Sequence, residues 1–298
     1  MKIANLIHPL DLGGTLFVPA SHKNLLNTAA GTKFEALRSM VIDFEDGLDE
    51  DKIDKGFTQL KKLLLAPKPK KLLRFIRPKN PKILEKLYKL DNIKNIDGFI
   101  LPKFGLKNAN TYLNIIQRQK PEGPYTFMPS IEGEELFDIT KLQKLKALLL
   151  PYKKDIILIR FGAEDMMQQL GLRRRCDTSL FDMSASCNVL GNLISCFKPE
   201  GFEISGAVYH CFQDEKGFKE DIARDIKEGF CTKTIIHPNQ ITTLNQAYRV
   251  TQEDVSEAEK IMGTTLSVFN LEGTMGEKST MTPWAQTILK RATLYGII

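Results

Sequence analysis

Short apolar runs alternate with longer amphipathic stretches along most of the chain. Thr15-Leu16-Phe17-Val18 is the first run, closed by Pro19. Met40-Val41-Ile42 is the second and leads into Asp43-Phe44-Glu45-Asp46-Gly47. Further runs lie at 72–77, 98–101, 125–131, 155–161, 204–209 and 233–236. Their β-branched and aromatic residues, bounded by Pro, Gly and acids, predict strands. The stretches between predict helices at 24–36, 49–65, 81–90, 108–118, 136–149, 186–196 and 218–228. In 49–65, Ile53, Phe57, Leu60 and Leu64 repeat at spacings of three and four, and Pro67 stops the pattern. After 245 the pattern is mostly helical, at 252–267 and 282–294, with the Gly-rich Glu272-Gly273-Thr274-Met275-Gly276 between.

Eight strands alternating with helices over about 240 residues is the count of a (β/α)8 TIM barrel, an α/β fold. The expected division is a barrel over residues 1–245 and a C-terminal helical extension over 246–298, an arm that could reach a neighbouring subunit. A doubly wound open sheet is the rival. Its phosphate loops, GxGxxG or GxxxxGK[ST], are absent.

In a barrel the carboxyl ends of all strands open onto one face, where the chemistry sits. The polar residues there are Asp43, Glu45 and Asp46 after strand two, Arg77 after strand three and Lys103 after strand four. Glu132 follows strand five, Glu164 and Asp165 follow strand six, and His237 follows strand eight. Carboxylates converging without paired cysteines or histidines favour Mg²⁺, or Mn²⁺, over Zn²⁺. Arg77 offers a planar fork for a substrate carboxylate. Each residue also has a structural reading. The acids after strand two could form a polar loop, Asp165 could cap the next helix, and Glu132 could be a surface residue. Arg77 could pair with a loop acid, and His237 could hydrogen-bond locally before Pro238.

Composition narrows the picture further. The net charge of +6 comes from 42 basic and 36 acidic residues, and part of it sits in Lys68-Pro69-Lys70-Lys71. Without interleaved aromatics that run reads as a solvated connection, which argues against nucleic acid. Five cysteines without CxxC spacing lead to the expectation of free thiols rather than a disulfide framework. His8 and Pro9 interrupt any signal core, and no apolar run is long enough to span a membrane. A cytoplasmic location is expected.

Taken together, the motifs resemble the citrate lyase beta subunit-like branch of the HpcH/HpaI aldolase superfamily, nearest to a divergent group of carbon–carbon bond lyases. The matching pieces are LFVPASHKN from Leu16, VIDFEDGLDEDK from Val41, FIRPKNP from Phe75 and DGFILPK from Asp97. SIEGEELFD from Ser130, FGAEDMMQQLG from Phe161 and GFCTKTIIHPNQI from Gly229 complete the set. The resemblance implies a Mg²⁺ site on Glu132 and Asp165, with Glu45 and Asp46 near the ion and its waters. It implies Arg77 as the substrate-carboxylate ligand, with Arg74, on the opposite strand face, a poorer fit. It implies retro-aldol or Claisen chemistry on an oxo- or hydroxy-acid, carried as a CoA or carrier thioester in some relatives, and a homotrimer. Glu45 or a water on the cation is the candidate general base.

Two positions depart from the family pattern. The first-strand motif continues as Ala20-Ser21-His22-Lys23 rather than glycine-asparagine-arginine. Met281 stands where relatives carry an aspartate before a proline. The first departure weighs against a phosphate or thioester contact there, and the second against a reaction needing that acid, such as thioester hydrolysis after condensation. Arg173-Arg174-Arg175 reads as a solvated or salt-bridged turn, with an anionic ligand tail as the alternative. Two other functions compete: a subunit active only with a carrier or partner, and a metal-free small-molecule binding module.

Overall fold

The computed structural model describes residues 7–119 and 126–298. The chain divides into two compact units, 1–241 and 242–298, with the division falling inside one helix.

The first unit is a ring of parallel strands. These are β1 (Gly14–Pro19), β2 (Ser39–Asp43), β3 (Leu73–Arg77), β4 (Gly98–Leu101), β5 (Thr126–Ile131), β6 (Arg160–Phe161), β7 (Ser205–Gly206) and β8 (Thr232–Ile235). Each pairs in parallel with its neighbour in sequence except β6 with β7, and β8 returns to β1. The gap between β6 and β7 is bridged at Ile159–Ile204, which closes the ring. The helices that follow the strands are α1 (Leu25–Ala29), α2 (Ile53–Leu65), α3 (Pro81–Tyr88), α4 (Ala109–Gln119), α5 (Ile139–Leu149), α6 (Ala163–Gln169), α7 (Ser184–Phe197), α8 (Glu215–Lys227) and α9 (Asn239–Ala247). This is the TIM barrel that the alternation predicts.

Side-chain alternation along a strand decides what fills the ring and what lines its mouth. Leu12, Val41, Phe75, Ile100, Met128 and Leu158 form one buried cluster inside the barrel. The next residues of the same parity are Asp43, Arg77, Ser130 and Arg160, with Glu132 one step further. The apolar layer below and the polar layer above are therefore one set of alternate positions. Arg74 has the other parity. It is buried on the outer face, where its backbone N–H donates to Asp97 (2.8 Å).

Several element boundaries differ from the pattern. Strand six shrinks to two residues, because Asp155 ends a 3-10 helix and Ile157 and Leu158 are buried without continuous ladder bonds. Strand seven likewise keeps only Ser205–Gly206. The helix expected at 24–36 stops at Ala29, and Gly31 follows at positive φ. Tyr125, the start of the fifth predicted run, and residues 1–6 lie outside the described residues.

The segment after α6 is held by charge. Arg174 is buried and pairs with Asp221 of α8, so it is not free for a ligand tail. Arg173 and Arg175 are exposed. Lys233 on β8, fully buried, meets Asp221 (2.6 Å) and Asp225 (2.5 Å). The expectation of five free thiols does not hold. Cys176 and Cys211 form a disulfide with Cα atoms 5.8 Å apart, while Cys187, Cys196 and Cys231 are free. Thirty-five residues separate the pair in sequence, so only the closing of the barrel reveals it.

The second unit packs α10 (Gln252–Gly263) and α11 (Lys278–Tyr295) through Val255, Ala258, Ile261, Ala285 and Ile288. The Gly-rich connection, read from the pattern as a link between helices, is a β-hairpin. Its strands β9 (Val268–Leu271) and β10 (Thr274–Glu277) are joined by Glu272 and Gly273 at positive φ. No helix among the described residues is long and apolar enough to cross a membrane.

Lys233 balances two buried carboxylates, and removing one partner of such a group leaves charge uncompensated. Lys233→Met is expected to cost about 3–5 kcal/mol of stability. Urea unfolding of the variant beside the parent checks this.

Candidate active site

The mouth of the barrel encloses a cavity of about 390 Å³, lined among others by Phe17, Asp43, Arg77, Glu132, Arg160 and Asp165. That is the volume range of a small-ligand site.

Asp43, the last residue of β2, organises one wall. Its carboxylate accepts from the backbone N–H of Glu45 (3.0 Å) and Gly47 (3.2 Å), which bends the loop back over the strand. A Cβ on Gly47 would stand 2.8 Å from Asp43 Oδ2, so the close approach needs glycine there. Asp43 also receives Arg77 Nε and Nη2, each at 2.7 Å, a bidentate pair. Arg77 Nη1 reaches Glu45 (2.7 Å) and Asp46 (3.3 Å). From β4's end, Lys103 Nζ approaches the same two acids at 3.1 and 3.2 Å. The structure thus brings Asp43, Glu45, Asp46, Arg77 and Lys103 into one network of three acids and two bases.

Glu45 is the least settled member. It is buried, and its contacts with Arg77 and Lys103 are close but misaligned, so neither oxygen receives a well-formed hydrogen bond. Burial pushes its carboxyl up to about 7, against the pull of Arg77. Asp46, more exposed, is held below the usual range: Arg77 and Lys103 outweigh its partial burial.

Glu132 stands on the facing wall, 4% exposed. Its Oε1 accepts from the backbone N–H of Lys103 (2.5 Å) and Oε2 from the hydroxyl of Ser130 (3.1 Å). Lys103 offers that N–H from a left-handed conformation, φ +46°, which non-glycine residues rarely adopt; Asn108 Nδ2 holds its carbonyl (2.8 Å). A Cβ on Gly162 would fall 2.2 Å from Glu132 Oε2, so the glycine after β6 makes room for this carboxylate. Burial, then repulsion from Asp165, raises Glu132 to about 7. Asp165, in the first turn of α6, is raised chiefly by partial burial and makes no ion pair among the described residues. The Gln169 side chain donates to the backbone carbonyls of Glu132 (2.7 Å) and Asp165 (3.1 Å), tying the two segments together.

Glu164 lies half-exposed at the rim, 3.8 Å from His210. His237 stacks on Phe212 and accepts from the N–H of Asn239 (3.2 Å), a local structural role. Arg160 was not singled out by the sequence pattern. It is 3% exposed, lines the cavity and donates to Thr15 (2.8 Å) and Thr234 (3.1 Å). The available signal was a cation ending a run of apolar residues that predicts a buried strand.

A TIM barrel with carboxylates and guanidinium groups gathered at its carboxyl-end mouth defines the class: a (β/α)8 barrel of enzyme type. The particular family follows from comparison. Residues 6–297 match the C-C bond lyase family of the TIM-barrel fold, and the chain belongs to it. Citrate lyase subunit beta of Escherichia coli K12 is 29% identical over 149 residues, 48% of this chain and 47% of that protein. The chain thus spans about half the length of that relative. A (3S)-malyl-CoA thioesterase of Cereibacter sphaeroides is 22% identical over 263 residues, 87% of this chain and 84% of the other. The fold matches CitE of Mycobacterium tuberculosis, solved with magnesium, acetoacetate and coenzyme A. The TM-score is 0.70 at 22% identity, covering 94% of this chain and 98% of that one.

The folded chain keeps a proton on Glu132 up to about pH 7, whereas the unfolded chain releases it near the ordinary glutamate value of 4.5. Without divalent cations, stability is therefore lost as pH rises through that window. Glu132→Gln is expected to remove this loss: the variant should be more stable than the parent at pH 8, by on the order of 3 kcal/mol, and nearly equal at pH 4.5. Thermal melts in chelator at the two pH values measure it.

Proposed function

We propose that the chain is a Mg²⁺-dependent carbon–carbon lyase of the retro-aldol or Claisen type, acting on a carboxylated oxo- or hydroxy-acid. The observation that carries this reading is the pair Glu132 and Asp165: two carboxyl groups lining one cavity, both raised by burial, Glu132 also by repulsion from Asp165. Such a pair suits a hard divalent cation. Two carboxylates with the remaining positions left to water and substrate is the usual Mg²⁺ arrangement. The relative solved with magnesium and acetoacetate supports the same chemistry.

Glu132 and Asp165 would hold the ion, which when bound would stabilise negative charge developing on the substrate's keto or hydroxyl oxygen. The chain's own groups supply the rest. Glu45, with its carboxyl near 7 and no well-formed hydrogen bond, is placed to accept and return a proton at neutral pH. Arg77, clamped by Asp43, holds a fixed positive charge at the same wall and would orient a substrate carboxylate. Asp46 and Lys103 keep Glu45 in place. A lyase assay run on the free acid and on its CoA or carrier thioester tells the two substrate forms apart. A subunit role, active only with a partner or carrier, is the second reading; it is favoured by the E. coli relative being a subunit. Turnover of free oxo-acids by the purified chain decides against it.

Glu132→Ala and Asp165→Ala are each expected to abolish Mg²⁺ binding in calorimetry and turnover in a lyase assay. Unchanged Mg²⁺ affinity in both would refute the assignment. Because the ion must displace the proton on Glu132, Mg²⁺ affinity of the parent should rise from pH 6 to pH 8 and level off above.

A further inference from the structure

Charge around the cavity is unevenly matched. Arg77 and Lys103 meet Asp43, Glu45 and Asp46, while Glu132 and Asp165 line the same cavity and Asp165 repels Glu132. Arg160 has no carboxylate within ion-pair distance among the described residues. It projects from β6 across the barrel interior, one layer below Gly162 and in register with Ser130 of β5. Its Nη1 and Nη2 each find a neutral hydroxyl, Thr234 on β8 and Thr15 on β1, and its Nε finds no acceptor. Both guanidiniums stand over the Phe17 ring, Arg160 at 5.6 Å and Arg77 at 5.1 Å from its centroid. Cation–π contact offsets only part of the cost of burying an unpaired charge. A guanidinium kept in that state, on the wall of an open cavity, is a seat for an anion that comes from outside the chain.

We propose that Arg160, with the Thr15 and Thr234 hydroxyls orienting it, binds a second anionic group of the substrate at the floor of the cavity, one layer below the Glu132–Asp165 pair. The substrate is then at least a dianion. One end is an oxo- or hydroxy-acid at the mouth; the other is a carboxylate or phosphate that reaches the floor. This rests on the lyase reading for the reacting end, but the anion seat stands on Arg160 alone. The cavity of about 390 Å³ has room for a small acid of this kind. Arg160 thus sets specificity, selecting di-acids over mono-acids, while the groups at the mouth carry the reaction.

The test separates the two ideas. In chelator, with no divalent cation, malonate and inorganic phosphate are titrated into the full chain by calorimetry. The parent should bind one of the two, and which one identifies the anion class. Arg160→Met should weaken that binding by about tenfold or more, and Arg160→Lys should restore part of it. Thr234→Asp, which supplies an internal carboxylate to Arg160, should abolish binding while raising the melting temperature; it keeps the test open if Arg160→Met folds poorly. With Mg²⁺ present, the parent should prefer oxaloacetate over pyruvate, and Arg160→Met should lose that preference. No anion binding by the parent, or equal binding by parent and Arg160→Met, overturns the assignment. Mg²⁺ titration of the same proteins reports on the lyase reading separately: its failure would remove the ion from the mouth and leave the anion result at the floor intact.

Discussion

The constraint on which this molecule depends is the period of two along a strand that must close into a ring. Once the strands bury Val41, Phe75, Met128 and Leu158 inward, the residues two positions on have no choice of side. Asp43, Arg77, Ser130 and Arg160 must then face the same interior, nearer the mouth. A one-residue slip in any strand would exchange its inward and outward sets, so the core that stabilises the barrel also specifies where its charges lie. Hydrophobic burial thus does the positioning, and the polar residues need only occupy the next inward place.

What those charges do to one another follows from their burial. Arg77 holds Asp43 by a bidentate pair, and that rigid unit anchors Glu45 and Asp46. Burial, helped by repulsion from Asp46 and Glu132, outweighs the pull of Arg77 and leaves Glu45 as the one that protonates near neutrality. Across the cavity, Glu132 is deprived of water by the glycine-enabled packing of β5 against β6, and Asp165 repels it. Both walls therefore carry a carboxyl group balanced near pH 7, and burial is the main cause in each. They differ in their neighbours: Glu45 sits in a crowded ion-pair network, Glu132 beside another acid.

The second unit shows the same logic at lower cost. Its helices meet through small and branched residues, Ala258 and Ala285 among them, which let α10 and α11 approach closely. Glycine-rich composition between two helical patterns was ambiguous by itself. Positive φ at Glu272 and Gly273 turned it into a hairpin rather than a linker.

The alternation of short apolar runs with amphipathic helices determined the barrel, because period and run length are local properties that survive without knowing any contact. The acids after strands two, five and six, and Arg77 after strand three, could be named for the same reason: a residue at the carboxyl end of a strand is identified by its place in the run. Partnership was beyond reach. That Arg77 is clamped by Asp43, that Cys176 meets Cys211, that Arg174 is buried on Asp221 and that Arg160 has no acid at all depend on distances between elements far apart in the chain. Those distances exist only after the ring closes, so tertiary structure alone decided which charges are neutralised and which remain free to bind.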